Sequence, residues 1–221
     1  MSATSANTKK KCECDGTGWV SVPGTNMVKQ CVCLREEVLR RKMERLMDQS
    51  GLVGSLREKT FENYHPKTPK QKKAREEMMK DGSFFLIGLP GRGKTHLLAA
   101  SVNAAMTQGV SVAFFSAPWL LKKIREDLMS DEKLQVLESC CEIEYLAIDD
   151  LGKEKPSETV QEKLFMIFDR REILGLRTSV TSNYDPETLS KERLDDAIVS
   201  RLLGMCRVLY LDGDDYRKKG G

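Results

Sequence analysis

Histidine is almost missing from this chain: His65 and His96 are the only two in 221 residues. A histidine-based triad or a His-rich metal site has little to draw on. Long apolar runs are missing too. The longest, such as Phe84–Leu89 and Val110–Phe115, fall far short of the ~20 residues that a membrane helix needs. The N-terminal Met1-Ser-Ala-Thr-Ser-Ala-Asn-Thr stretch reaches Lys9-Lys10-Lys11 without an apolar segment, so no signal peptide is expected. Aromatics make up 6% of the residues, so stacking platforms for nucleic-acid bases are scarce. A one-signed charge is also lacking, since 36 basic and 33 acidic side chains leave +3. What is there, 40% hydrophobic and 31% charged residues, suffices for a packed core. These features predict a soluble, cytoplasmic chain of one full domain with a small appendage and no membrane partner.

The mild net charge hides an asymmetry. Residues 1–83 carry 17 basic and 11 acidic side chains, whereas residues 84–221 carry 19 and 22. A basic front half is thus attached to a slightly acidic back half. Cysteine is uneven as well, with four of the seven before residue 34. An odd count without an export signal argues against a disulfide framework and for thiols or a metal site.

Three zones are predicted: residues 1–48 as a small N-terminal unit, 49–83 as a linker with a lead-in helix, and 84–221 as the main domain. From Phe84 onward, short apolar runs alternate with helical patterns. Strands are expected at Phe84–Ile87, Val110–Phe115, Tyr145–Ile148, Thr178–Thr181 and Cys206–Leu211. Helices are expected at 94–107, 118–139 (interrupted near Ser130-Asp131), 157–174 and 186–204. Asp185-Pro186 supplies an N-cap followed by proline at the first helical position, and Gly109 stands where a helix-ending glycine belongs. Strands apolar on both faces and separated by helices predict a five-stranded parallel sheet inside a three-layer αβα sandwich.

Gly88-Leu89-Pro90-Gly91-Arg92-Gly93-Lys94-Thr95 fits the phosphate-binding pattern G-x-x-x-x-G-K-[ST] completely, after a predicted strand and before a predicted helix. Glycines let such a loop curl so that backbone N–H groups face an anion, and the helix N-terminus adds partial positive charge. Gly88, Gly91, Arg92, Gly93, Lys94, Thr95 and His96 are the candidate nucleotide-binding residues. Lys94 is placed to reach the outer phosphates of ATP and the Thr95 hydroxyl to ligand Mg2+. In Tyr145-Leu-Ala-Ile148-Asp149-Asp150, an apolar strand ends in two acids at the sheet's carboxyl edge. Asp149 is the expected Mg2+ holder and Asp150 the residue that orients or activates the attacking water. An aspartate there reaches one methylene less far than a glutamate.

Cys12-Glu-Cys14 and Cys31-Val-Cys33 are two C-x-C pairs sixteen residues apart. Strands at Gly18–Val22 and Asn26–Gln30, turning at Pro23-Gly24-Thr25, would bring both pairs together around a tetrahedral Zn2+. Two sets of free thiols or an iron–sulfur cluster are the alternatives. A segment this small cannot build a core, so bound metal would contribute most of its folding energy. Leu34, Val38, Leu39, Met43, Leu46 and Met47 fall at helical spacing and predict one amphipathic helix over 34–48. Cys140, Cys141 and Cys206 read as core thiols.

Gly88–Thr95, Ile148-Asp149-Asp150-Leu151-Gly152, Thr181-Ser182-Asn183 and Ser200-Arg201-Leu202-Leu203-Gly204 occur in the order seen in AAA+ ATPases of the initiator clade. Within that clade the chain resembles bacterial and phage replicative helicase loaders of the DnaC/DnaI type, with IstB-like transposition ATPases as cousins. Phe61–Pro66 and Leu211–Arg217 also look like this family, and the resemblance covers roughly residues 56–219. It implies a P-loop AAA+ core; the departure is at the C-terminus, where the 20 residues after Arg201 are too few for the usual helical lid, so a reduced or absent lid is expected. The resemblance implies that Asn183 contacts the attacking water or γ-phosphate, where the residue alone reads equally as a turn-former. Arg201 would be an arginine finger entering a neighbour's site, where the residue alone reads as a helix-surface ion pair. Arg207 and Arg217 both remain candidates for the missing lid arginine.

The resemblance further implies an ATPase, weak alone and stimulated by assembly or DNA. It would bind the hexameric replicative DNA helicase through residues 12–48, homo-oligomerise, and help place the helicase on single-stranded DNA. The helix over 34–48 could equally pack on its own ATPase core. Lys122, Lys123, Arg125, Lys153 and Lys155 are candidate DNA contacts, with Trp119 as the one obvious stacking residue. The same charges also fit a solvated face. Alternatives are an IstB-like transposition helper ATPase, a P-loop nucleotide kinase, which would need an Arg-rich lid, and a zinc module that binds ATP without turnover.

Overall fold

The computed structural model describes residues 14, 16–31, 33–34, 50–129 and 135–218. The chain divides into two compact units, Met1–Arg45 and Leu46–Gly221. Cys12, most of the helix expected over 34–48 and the interruption expected at Ser130-Asp131 lie outside the described residues.

In the first unit, β1 (Trp19–Ser21) and β2 (Val28–Gln30) pair antiparallel, Trp19 facing Gln30 and Ser21 facing Val28. Val22 N donates to Met27 O at 2.9 Å above the turn, and Cys31 N donates to Gly18 O at 2.8 Å below it. Gly24 stands at φ +75°, a backbone region that glycine enters without a Cβ clash. The hairpin therefore forms where the Pro-Gly-Thr turn residues indicate.

The second unit is built on a five-stranded parallel sheet. Its strands are β3 (Phe84–Ile87), β4 (Val112–Ser116), β5 (Tyr145–Leu151), β6 (Arg177–Ser182) and β7 (Arg207–Tyr210). They lie in the order β4-β5-β6-β3-β7. Period-two alternation sends successive side chains to opposite faces. Phe85, Ile87, Leu146, Ile148 and Val180 join one apolar cluster. Phe84, Leu86, Tyr145, Ala147 and Phe114 face the other way.

The first face is covered by α3 (Ala117–Met129), α4 (Gln135–Glu142), α5 (Glu158–Ile173), α6 (Pro186–Glu192) and α7 (Asp196–Met205). The second is covered by α1 (Pro69–Met78) and α2 (Lys94–Thr107). This is the αβα sandwich that the sequence pattern predicts. Helices carrying Leu, Ile, Val and Phe shut the first sheet face off from water, and helices carrying Leu, Val, Ala and Met the second, the dominant favourable contribution to folding.

Several boundaries differ from expectation for identifiable reasons. The helix expected over 186–204 is two helices, because Asp195 leaves the helical region (φ −63°, ψ 140°) and its carboxylate caps Ala197 N. Asp185 accepts from Thr188 N with Pro186 at the first helical position, as anticipated. Gly109 stands at φ +82° and donates to Met106 O at 2.8 Å, ending α2 and delaying β4 to Val112. β5 runs three residues past Ile148, through an irregularity in its pairing with β6 between Ile148 and Leu151.

The stretch before β3 does more than connect. Leu52, Phe61, Tyr64, Ala74 and Met78 are buried. The tail after β7 is stitched to this stretch. Thr68 Oγ1 donates to Asp212 Oδ1 at 2.6 Å, and Gln71 Nε2 to Asp212 O at 2.7 Å. Tyr216 OH lies 2.8 Å from Gln71 Oε1.

Candidate nucleotide site

At the carboxyl edge of the sheet, β3 passes into the loop 88–93 and then α2. Gly91 (φ +76°) and Gly93 (φ +87°) turn the loop, and both are also held by close approach. A Cβ on Gly91 would fall 1.8 Å from Asp215 Oδ1, and one on Gly93 2.7 Å from the Tyr64 ring. The tail lies along this loop, with Tyr216 N donating to Gly91 O at 3.0 Å. Loop, lead-in segment and tail enclose a cleft of about 540 Å³, which Lys94, Thr95, Asp150 and Asn183 line together.

Because β6 lies between β5 and β3, it brings Asn183 beside the loop and its hydroxyl side chains beside the acids. The Lys94 ammonium donates to Gly88 O (2.6 Å), Leu89 O (3.1 Å) and Asn183 Oδ1 (2.8 Å). Burial lowers its pKa, and Asp150 and Asp149 pull the other way. The Thr95 hydroxyl lies 2.9 Å from Asp149 Oδ2. Thr181 Oγ1 donates to Asp149 Oδ1 at 2.6 Å. Burial raises the Asp149 carboxyl above the ordinary aspartate range, against the lowering effect of the Thr181 and Thr95 hydroxyls. Asp150 stands at φ +60°, with its carboxylate 3.9 Å from Lys153 Nζ.

The donor set fits a magnesium nucleotide. The oxygens of Thr95 and Asp149 are hard ligands suited to Mg2+, next to the ammonium and the helix N-terminus that suit an anion. Among the described residues, Arg92 Nη1 is buried with no hydrogen-bond partner, a donor available to a phosphate oxygen.

The other expected residues are distributed as follows. His96 lines the cleft, and its ring is also engaged by the lead-in segment. Its Nε2 lies 3.0 Å from Thr60 O and 2.9 Å from Asn63 Oδ1, fastening the lead-in segment onto α2. Burial lowers its pKa. Arg201 lies away from this chain's own cleft, with Nε 3.0 Å from Asp169 Oδ1 and 3.1 Å from Glu172 Oε2. Of the two lid-arginine candidates, Arg217 lines the cleft, whereas Arg207 pairs with Glu77 at 3.1 Å. Trp119 is 46% exposed, with Lys122 and Lys123 over its ring at 4.9 and 5.0 Å. Arg125 pairs with Glu154 at 3.8 Å.

Sequence reasoning missed the wall opposite the phosphate loop, formed by Asn63, Tyr64, His65 and Tyr216. The signal was present in Phe61–Pro66 and Leu211–Arg217, but no local pattern says that the two segments meet.

In the first unit the sulfurs of Cys14, Cys31 and Cys33 lie within 4.8 Å of one another, Cys14 to Cys33 at 3.4 Å. A tetrahedral Zn2+ with bonds near 2.3 Å separates its sulfurs by about 3.8 Å, so the three thiols fit that ion.

A five-stranded parallel sheet, a complete phosphate-binding loop and an acid-tipped strand one place removed from it define a P-loop nucleotide-binding domain. A family model described as IstB-like ATP binding protein matches residues 27–220, and the chain belongs to that family. It is 30% identical over 200 residues to the replicative helicase loader DnaC of Buchnera aphidicola subsp. Baizongia pistaciae, covering 83% of this chain and 81% of that protein. In fold it is similar to the crystal structure of the DnaC helicase loader, with TM-score 0.66 and 23% identity over 72% of this chain and 100% of that one. It is also similar to the crystal structure of DnaI, with TM-score 0.67 and 22% identity over 74% and 96%.

Proposed function

We propose that this chain is an ATP-dependent loader that binds the replicative DNA helicase and helps to place it on single-stranded DNA. The observation that carries the loader reading is the likeness to a replicative helicase loader over four fifths of that protein's length. The family model is shared with IstB-like ATPases, but the curated relative above is a helicase loader, and the nucleotide-kinase alternative has no comparable support.

ATP would enter the cleft with its phosphates along the loop 88–93. Lys94 would exchange the neutral oxygens of Gly88, Leu89 and Asn183 for phosphate oxygens, a stronger charge-assisted set. Thr95 and Asp149 would hold the Mg2+, which neutralises charge on the phosphates. Asp150 would orient the attacking water, with Asn183 beside it. Arg201 would act on the nucleotide of a second copy, after giving up Asp169 and Glu172. A guanidinium suits that task because it stabilises charge spread over the transferring phosphoryl oxygens. A single copy should therefore turn over ATP slowly.

The cysteine hairpin would be a structural Zn2+ site and, with the segment after it, the helicase-binding adaptor. Trp119 flanked by Lys122 and Lys123 offers single-stranded DNA a stacking face with adjacent cations. Lys153 and Lys155 would add phosphate contacts.

Co-elution of the purified chain with its host's replicative helicase tests the reading, run with ATP, with ADP and with the Lys94→Ala variant. A stable complex whose nucleotide response is lost in Lys94→Ala is expected. Absence of a complex under every nucleotide condition, with phosphate transferred from ATP to a nucleoside monophosphate, would overturn it in favour of a kinase.

A further inference from the structure

β6 is a central strand made of Arg177-Thr-Ser-Val-Thr-Ser182. A central parallel strand is ordinarily Val/Ile/Leu-rich because it is buried on both faces. Here Thr178, Ser179, Thr181 and Ser182 are all fully buried, so each hydroxyl needs a partner. Ser179 Oγ accepts from Phe84 N, Thr178 Oγ1 from Arg171 Nε, and Ser182 Oγ donates to Leu151 O. Those three bonds serve strand ends and packing. Thr181 differs, because both of its partners belong to the acid pair of the nucleotide site.

Thr181 Oγ1 lies 2.6 Å from Asp149 Oδ1 and 2.9 Å from Asp150 N. A carboxylate can only accept and an amide N–H can only donate. The one hydroxyl therefore donates to Asp149 and accepts from Asp150. At this point the β5–β6 pairing is irregular between Ile148 and Leu151, and Asp150 is the one non-glycine residue with positive φ among those described. The Asp150 amide is thus turned out of the regular ladder and its hydrogen bond goes to the side chain of Thr181. A left-handed aspartate is strained and persists only where surrounding contacts hold it.

We propose that Thr181 is a positioning residue for the nucleotide reaction: its single hydroxyl sets the rotamer of Asp149 toward Thr95 and pins the backbone of Asp150 in its left-handed turn. Valine has nearly the same shape, and an aliphatic side chain would cost less to bury in a central strand. What the hydroxyl adds over valine is a link between the two acids. Loss of it leaves Asp149 held, among the described residues, by the Thr95 hydroxyl alone and Asp150 free to relax toward regular strand geometry. The inference rests on the reading of Thr95 and Asp149 as the magnesium-holding pair.

The test uses the full chain with Thr181→Val, Thr181→Ser and, as a control on the underlying reading, Asp149→Asn. Three quantities are measured: amide hydrogen exchange over residues 148–152 without nucleotide, the magnesium dependence of ATP binding, and kcat against KM. Thr181→Val is expected to speed exchange about tenfold at Asp150. It should weaken the magnesium-dependent part of ATP binding by about 10–100-fold. It should leave binding in chelator unchanged, and lower kcat more than it raises KM. Thr181→Ser, which keeps the hydroxyl, should restore all of these to within about twofold.

Thr181→Val with normal exchange and normal magnesium dependence, while Asp149→Asn is impaired, would overturn the proposal alone. If Asp149→Asn is also without effect, the magnesium reading fails instead. Should Thr181→Val not fold, Thr181→Ala replaces it. Loss of magnesium dependence in Thr181→Ser would equally overturn the role given to the hydroxyl.

Discussion

Lys94 shows at the scale of one residue how a buried cation can be kept ready for an anion. Its ammonium is surrounded by two backbone carbonyls and an amide oxygen, neutral acceptors that a phosphate can displace. Replacing it by alanine removes charge-assisted hydrogen bonds of about 1.5–3 kcal/mol. Lys94→Ala should therefore weaken ATP binding by about tenfold to a hundredfold in equilibrium titration, without lowering the thermal midpoint. Arg171 presents the opposite case, a cation held for structure. It is fully buried, and its guanidinium serves Thr178 Oγ1 (2.8 Å), Cys140 O (2.8 Å), Ile143 O (2.8 Å) and Arg177 O. Burial lowers its pKa to about 10. Arg171→Met keeps the bulk but leaves buried carbonyls unpaired, at roughly 1–3 kcal/mol for each group. Urea unfolding should show a loss of about 3 kcal/mol or more. Nothing in the surrounding sequence marks Arg171 as internal, because its partners come from α4, the loop after it and the first two residues of β6.

At the scale of elements, the phosphate loop, the helix after it and the acid-tipped strand were legible in the chain itself. Each depends on local chemistry: glycines for a tight turn, and an apolar strand that runs out at two aspartates. The break between α6 and α7 was not legible, because Asp195 acts as a cap only once Ala197 has turned under it. The irregularity in β5 escaped for a similar reason, since its partner Thr181 is thirty-one positions away. The tail along the loop makes a sharp prediction. Gly91→Ala would adopt an unfavourable left-handed φ, at roughly 1–2 kcal/mol, and drive its Cβ into Asp215. ATP affinity should fall, and limited proteolysis should cut after Lys or Arg in residues 211–218 faster than in the parent. The cysteine hairpin has short strands of three residues each, too little to stand alone. Chelation is expected to abolish helicase binding and unfold this unit while ATP binding by the second unit persists. Retained helicase binding after demonstrated metal removal would count against the adaptor role.

For the whole molecule, the distribution of roles matters more than net charge. The cleft holds Lys94, Thr95, Asp150 and Asn183 in one chain, but Arg201 sits elsewhere on that chain, paired with Asp169 and Glu172. A half-exposed ion pair of this kind is weak, roughly 0–1 kcal/mol, so under the proposed reading a second copy's phosphates would displace it. Arg201→Ala should bind ATP normally yet lose about 10³-fold of any assembly-stimulated hydrolysis. Mixing Arg201→Ala with Lys94→Ala should restore part of the activity if the site is shared between copies, because each variant supplies what the other lacks. Resemblance in the order of motifs pointed to this arrangement, while spacing alone could not have separated a trans-acting arginine from a surface ion pair.

The central claim is ATP-dependent helicase loading, and transfer of the replicative helicase onto a circular single-stranded DNA measures it most directly. With ATP, the wild-type chain should leave helicase stably encircling the circle, and both Lys94→Ala and omission of ATP should reduce that product to the level of helicase alone. Equal loading with and without ATP, or no loading beyond the helicase-only level with the wild-type chain, would contradict the account.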